Sequence, residues 1–336
     1  MISAVHFQNF KALRSAALKL EPFNLVIGPN GSGKTSLIQA LLRLRTLAAL
    51  PAVHAHDLKG QQPAGPQIAF HFHPPYQNVR VTLGCNTDEM VCNLLVVDHP
   101  PGLEGEKAWG ELRTRLQSIR AYLFDHYAIA APSKRTDPAE LTSNAGNLAA
   151  VLANWRGQHH AAFTALEGEF RRLVPEFRGL ELTESATGQV EFGARLLDGN
   201  ELVPADSMSQ GVLYLLATLT LSLAPQPPAV VCLEEADRGV HPRTLREIRD
   251  ALYRLSYPKD FALSRPATQV IATTHSPYLL DLFKNHPEEV VLAQKHGRAA
   301  TFERLSDRTD LRELLQEAQL GDLWYSGVLG GVPGVE

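Results

Sequence analysis

The chain has 336 residues, 44% hydrophobic and 20% charged, the make-up of an ordinary globular protein with a sizeable core. A net charge of -4 and a pI of about 6.4 give no overall pull toward nucleic acid, leaving only a local basic patch for such a role. The longest apolar run, residues 212–224, is too short for a bilayer, and residues 1–4 lead into a strand-like pattern without the regions of a leader, so a cytoplasmic protein with no membrane partner is expected.

Residues 2–7 alternate weakly and predict a strand, 9–14 a turn and 16–20 a second strand, together a hairpin feeding the next strand. That strand is the apolar run 23–27. A helix follows over 36–50, where Leu, Ile and Ala recur at helical spacing. Between them stands Gly28-Pro29-Asn30-Gly31-Ser32-Gly33-Lys34-Thr35, the pattern G-x-x-x-x-G-K-T. Its three glycines free the backbone to aim several N–H groups at one anion. Lys34 brings charge to the outer phosphates, the Thr35 hydroxyl can ligate Mg²⁺, and a helix starting at Gly33 adds its dipole, with Ser36 in its first turn. A strand before and a helix after are the context this motif needs, so nucleotide-phosphate binding is expected.

Residues 51–66 read as loop, and 67–72, 79–83 and 90–97 as strands, antiparallel because short turns join them. Pro100-Pro101-Gly102 marks a boundary. From 105 to about 175 the pattern is helical, with Trp109, Leu112, Leu116, Ile119 and Leu123 at three- and four-residue steps, as are Leu148, Val151, Leu152 and Trp155. Pro132, Pro138, Gly146 and Pro175 break it, which excludes a long coiled coil. Strands follow at 180–183, 189–194 and 201–203, then an apolar helix opened by Ser207 and running to 223. After the stiff linker 225–228, residues 229–233 form a short apolar strand suited to a parallel sheet, 242–255 an amphipathic helix and 269–273 another buried strand. Ser276-Pro277 starts a helix; strands at 290–292 and 299–305, a helix at 310–319 and a mobile end over 327–336 complete the chain. The 3 cysteines, Cys85, Cys92 and Cys232, make no C-x-x-C pair and suit a reducing compartment.

Residues 229–235 are an apolar strand ending in two acids, which in a P-loop protein delivers one acid to the Mg²⁺ shell and a second to the attacking water. Glu234 is assigned to the metal and Glu235 to the water. His275, in Thr273-Thr274-His275-Ser276-Pro277, stands at the carboxyl end of a strand, where ligands bind in open α/β sheets. It could donate to the γ-phosphate or orient the water, while Ser276 caps the next helix. Ser209-Gln210-Gly211 opens the long apolar helix and by itself reads as a cap. His71 with His73, and His54 with His56, share spacing, but the sequence offers neither pair a third metal ligand, so packed or exposed histidines are the better reading. Arg43 with Arg45, Arg113 with Arg115 and Arg171 with Arg172 are candidate phosphate-backbone patches. Interleaved acids favour solvated helix faces instead.

The order of these motifs resembles the ATP-binding-cassette ATPases, and more narrowly the RecF/SMC-type heads and the stand-alone ATPases related to the ATPase half of OLD-type proteins. Asn9-Phe10-Lys11 matches that group's NFK opening strand. Leu233-Glu234-Glu235-Ala236-Asp237-Arg238-Gly239-Val240-His241-Pro242 is similar to its IEEPE-x-x-LHP run, Thr274-His275-Ser276-Pro277 to its THSP switch, and residues 321–327 to its C-terminal ending. The resemblance is weak over 50–205. It implies an α/β P-loop head over 1–336 with an antiparallel β subdomain and a helical lid inserted at 100–175. It further implies a homodimer closed around ATP and Mg²⁺, with Ser209 and Gly211 acting in trans, Glu235 as the catalytic acid and His275 as the switch histidine. Gln210 and Val212 depart from the family signature, which has Gly or Asp at the first and a polar residue at the second. DNA and a separate effector, a nuclease or toxin, are the candidate partners, in repair or antiviral defence. A transporter motor fits least.

Overall fold

The computed structural model describes residues 1–58, 65–87, 91–138 and 140–330. Residues 59–64 of the expected loop, residue 90 of an expected strand and 331–336 of the expected mobile end lie outside them. The chain runs β1 (Ile2–Phe10), β2 (Leu13–Lys19), β3 (Phe23–Ile27), α1 (Lys34–Ala48), β4 (Val53–His54), β5 (Gln67–Phe72), β6 (Arg80–Cys85), β7 (Cys92–Asp98) and α2 (Leu103–Gln117). Next come β8 (Arg120–Tyr122), α3 (His126–Ala130), β9 (Ser133–Lys134), α4 (Leu148–Gln158), α5 (His160–Leu173), β10 (Phe177–Glu184), β11 (Gln189–Leu196), β12 (Leu202–Pro204) and α6 (Gln210–Ser222). It closes with β13 (Val230–Leu233), α7 (Leu245–Ser256), β14 (Gln269–Thr274), α8 (Pro277–Asp281), β15 (Val290–His296), β16 (Ala299–Arg304), α9 (Leu311–Glu317) and α10 (Leu320–Tyr325). The chain divides into two compact units, one of residues 1–121, 228–233 and 267–336, the other of 122–227 and 234–266.

The first unit is built on two sheets. One has the order β16-β15-β3-β14-β13-β8, with β3 parallel to both β14 and β15, and β13 parallel to β14. Every residue of β3, β13 and β14 is buried, which is why these strands read as continuous apolar runs rather than alternating ones. The second sheet, β2-β1-β5-β6-β7-β4, is antiparallel except that β4 runs parallel to β7. α1 buries Leu37, Ile38, Leu41, Leu44 and Leu47 at three- and four-residue steps. Its carboxyl end is capped by α2: Arg113 Nε donates to the Ala48 carbonyl at 2.7 Å and Nη2 to Leu50 at 3.1 Å. The buried Gln269 side chain donates to the carbonyls of Ile2 and Glu21 and accepts from the Ile2 amide, tying β14 to the start of the chain.

The second unit holds α3–α7 and the sheet β10-β11-β12, with β9 on β11. From Leu213 to Ser222 every residue of α6 is buried. The Thr218 and Thr220 hydroxyls satisfy themselves on the carbonyls of Tyr214 and Leu216. Glu169 on α5 accepts from Arg172 and from Arg254 of α7, and Arg172 also donates to Glu247 of α7.

Several local expectations change. The 51–66 loop contains β4 and a 3-10 turn over Ala55–Leu58, and two-residue strands carry no periodicity to read. The helix through Trp109 and Leu116 stops at Gln117, so Ile119 lies in the turn and Leu123 beyond β8. Residues 100–175 thus contribute α2 to the first unit and α3–α5 with β9 to the second. Ser207 belongs to a 3-10 turn, and α6 starts three residues later, at Gln210, with Ser209 as its N-cap. Cys85 and Cys92, expected to suit a reducing compartment, instead form a disulfide across paired positions of β6 and β7; Cys232 is free and buried.

Candidate nucleotide-phosphate site

Leaving β3, the chain enters the loop at Gly28. A Cβ there would lie 2.2 Å from the Ala293 carbonyl of β15 and 2.6 Å from Ser32 Oγ, so only glycine fits. Gly31 (φ 76°) and Gly33 (φ 97°) take the left-handed backbone that turns the loop into α1. Lys34 is 9% exposed, and its Nζ donates to the carbonyls of Gly28 at 2.6 Å and Pro29 at 3.0 Å. Its ammonium therefore spans the mouth of the loop. α1 has no side-chain cap and no acid in its first turn, so its own first turn adds no negative charge to the positive end of its dipole. Ser32 Oγ is buried with no hydrogen-bond partner among the described residues. This polar, backbone-lined cradle with an unsatisfied hydroxyl fits a polyanion such as a nucleotide's phosphates. Pro29 is half-buried at its rim, and Asn30 and Thr35 are exposed, with Ser36 beside them.

The carboxyl edge of the sheet brings further groups to the same unit. Register sets Ile27 opposite Thr274 of β14 and opposite Leu292 of β15. The exposed His275 therefore leaves its strand level with Gly28. Thr274 Oγ1 accepts from the Ser276 amide at 2.9 Å, and Ser276 Oγ caps α8 by accepting from Leu279, as its sequence predicts. Sequence reasoning missed Lys295. β15 runs four residues past the expected 292, which carries the Lys295 ammonium to within 3.7 Å of where a Gly31 Cβ would stand.

β13 ends at Leu233, opposite Ala272 of β14, and Glu234 and Glu235 follow it in the chain. The Glu234 amide donates to the Tyr122 carbonyl at 2.8 Å. Glu235 is exposed and has a left-handed backbone (φ 51°), a strained state for a residue with a Cβ and one that clusters at functional positions. Its carboxylate lies 3.7 Å from Arg238. In the same unit Ser209 caps α6, accepting from the Val212 amide at 3.4 Å, and Gln210 Nε2 donates to the Tyr214 hydroxyl at 3.0 Å. Gly239 (φ 64°) leaves space that the Gln210 side chain fills, since a Cβ there would come within 2.5 Å of it. Gly211 sits against the Gly239 carbonyl. The Gln210 departure is thus a packed one.

Other candidates resolve differently. Gln117, one of two positions considered for a glutamine loop (Gln77 the other), donates to Ala48 at the far end of α1, about 22 Å of helix from the cradle. Arg43, Arg45, Arg113 and Arg172 donate to groups within the chain, while Arg171 is exposed. His71 lies tilted against His6, with ring centroids 5.0 Å apart. Its imidazole is held below the ordinary value by burial, then by Arg80 and His6, and it gathers no metal-ligand set among the described residues. His54, by contrast, does meet a third ligand, supplied by residues remote in sequence.

A family model described as "AAA domain, putative AbiEii toxin, Type IV TA system" matches residues 23–281. Among solved structures, the chain is similar to an SMC head bound to the C-terminal winged-helix domain of ScpA, at 15% identity and TM-score 0.60, covering 90% of this chain and 96% of that one. It is also similar to an SMC head domain with an extended coiled coil, bound to the C-terminal domain of ScpA, from Pyrococcus furiosus. That likeness has 13% identity and TM-score 0.57, covering 94% and 99%. These likenesses show an SMC-head-type P-loop ATPase fold. Comparison with curated proteins finds no match.

Proposed function

The chain belongs to that AAA-domain family, and from this premise we propose that it binds and hydrolyses ATP, as a homodimer closed around the nucleotide. The observation that carries the reading is the cradle of Gly28 to Ser36: strain-permitting glycines, a bridging Lys34, a buried Ser32 hydroxyl with no hydrogen-bond partner among the described residues and a helix start with no side-chain cap. The Thr35 hydroxyl and the Glu234 carboxylate would hold Mg²⁺, which when bound neutralises charge on the phosphates. Glu235 positions the attacking water and His275 senses the γ-phosphate. Ser209, which accepts from Val212, keeps its O–H to donate, and with Gly211 it reads the phosphates of the partner copy. All of 1–336 forms one ATPase domain on this reading, residues 100–175 supplying its inserted helical part.

A second reading is favoured by the signature. Gln210 is engaged with Tyr214 rather than presented to a ligand, which suits slow hydrolysis in a nucleotide-gated module that holds or releases an effector. The SMC heads it resembles were solved with ScpA domains bound, and the family description names a toxin. A nuclease or toxin is the partner in kind, in antiviral defence or DNA repair. Light scattering on Glu235→Gln with and without Mg-ATP separates the readings: a shift from monomer to dimer supports the first, and a monomer throughout supports the second. Turnover in that variant is expected to drop about 10²-fold while ATP still binds; near-normal turnover would remove Glu235 from its role.

A further inference from the structure

Far from any motif, three side chains converge at the edge of the antiparallel sheet. β4 pairs with β7 so that His54 stands opposite Val97, two residues before His99. Glu106 lies in the first turn of α2. His54 Nδ1 is 3.2 Å from His99 Nε2, His99 Nε2 is 3.6 Å from Glu106 Oε1, and all three ligand atoms lie within 4.8 Å of one another. A tetrahedral ion with bonds of about 2.0–2.1 Å sets its ligand atoms roughly 3.3 Å apart. Two of the three separations already match that edge, and the exposed Glu106 can swing to close the third.

The arrangement has the marks of a built site. The His99 ring is 4% exposed, and its Nδ1 lies 2.8 Å from the Pro100 carbonyl. That carbonyl takes the Nδ1–H and leaves the Nε2 lone pair facing His54 and Glu106, the outer-shell contact that orients a metal-binding imidazole. The helix start is shaped for the same purpose. A Cβ on Gly105 would lie 1.8 Å from the Pro100 carbonyl and 2.6 Å from His99 Nδ1, so only glycine lets α2 come close enough to present Glu106.

We propose that His54, His99 and Glu106 bind a zinc-class divalent ion, with water at the fourth position. Two imidazoles and one carboxylate suit a borderline ion, whereas Mg²⁺ takes oxygen ligands, so this site is chemically distinct from the phosphate site. The ion clips the two-residue β4 and the β7–α2 turn to α2. Through Arg113 and Gln117, α2 in turn caps the end of α1.

The test uses the full chain, stripped with chelator and titrated with Zn²⁺ by calorimetry and with Co²⁺ by visible absorption. One equivalent is expected, with a tetrahedral Co²⁺ spectrum abolished by Zn²⁺ and a melting temperature raised by Zn²⁺. His54→Ala and Glu106→Gln, checked for unchanged circular dichroism, should each weaken binding at least as much as loss of an outer-shell partner does, about 10- to 100-fold. His71→Ala should bind as the parent does. Absence of a stoichiometric Co²⁺ spectrum in the parent, or equal binding by parent and a folded His54→Ala/Glu106→Gln double variant, would overturn the proposal.

Discussion

Two helices of this chain begin after a small-residue segment, and they differ in whether a side chain caps them. At α1 the residue before the helix is Gly33, which offers no side chain, and the buried Ser32 hydroxyl beside it has no hydrogen-bond partner among the described residues. At α6 the N-cap is Ser209, whose oxygen takes the Val212 amide, and Gln210 folds onto Tyr214 over Gly239. A glycine-rich helix start is therefore not a phosphate site in itself. What decides is whether the chain satisfies those donors internally or leaves them to a ligand.

The largest effect should come from the site left open. Lys34→Ala removes a charge-assisted contact and unpairs two carbonyls. Nucleotide affinity by calorimetry should fall about 10²-fold, the upper end of the ~1.5–3 kcal/mol attached to bonds with charged groups. Retained affinity would dissolve the contrast between the two helices. Ser209→Ala addresses the closed one. Affinity of the monomer should be unchanged, while turnover drops about tenfold and α6 loses roughly 1 kcal/mol of capping. If affinity fell as far as in Lys34→Ala, α6 would be a ligand site of its own. Lys295→Ala should weaken nucleotide binding only a few-fold, since an exposed cation is screened.

The smallest effect concerns how firmly α5 and α7 are joined. Burial alone would raise the Glu169 carboxyl, but hydrogen bonds from Arg254 and Arg172 outweigh it and hold the group below its ordinary value. Its contribution to stability is then present above the unfolded carboxylate's range and lost as pH falls through the lower folded one. Glu169→Gln should lower the melting temperature by a few degrees at neutral pH, a gap that narrows in acid. A gap independent of pH would assign the loss to side-chain packing instead.

Some of this was legible residue by residue. The cradle was, because each of its glycines answers a local demand: Gly31 and Gly33 a left-handed backbone, Gly28 a close approach to β15. β3, β13 and β14 were as well, since burial on both faces writes itself as an unbroken apolar run. β4 was not, having two residues and no period, nor was the stop of α2 at Gln117, where apolar spacing continues past the helix through Ile119. Lys295 was hidden because the strand carrying it continues through polar residues.

The sequence by itself determined the glycine-rich loop, the buried strands beside it and the Ser209 and Ser276 caps, each of which is written in a short contiguous stretch of residues. Only the tertiary structure decided that Gln210 packs onto Gly239, that Gln117 serves the far end of α1 and that His54, beside His56, also meets His99 and Glu106. Those outcomes depend on strand register and helix placement, which are set by burial summed over the whole core and leave no signature at the residues they bring together.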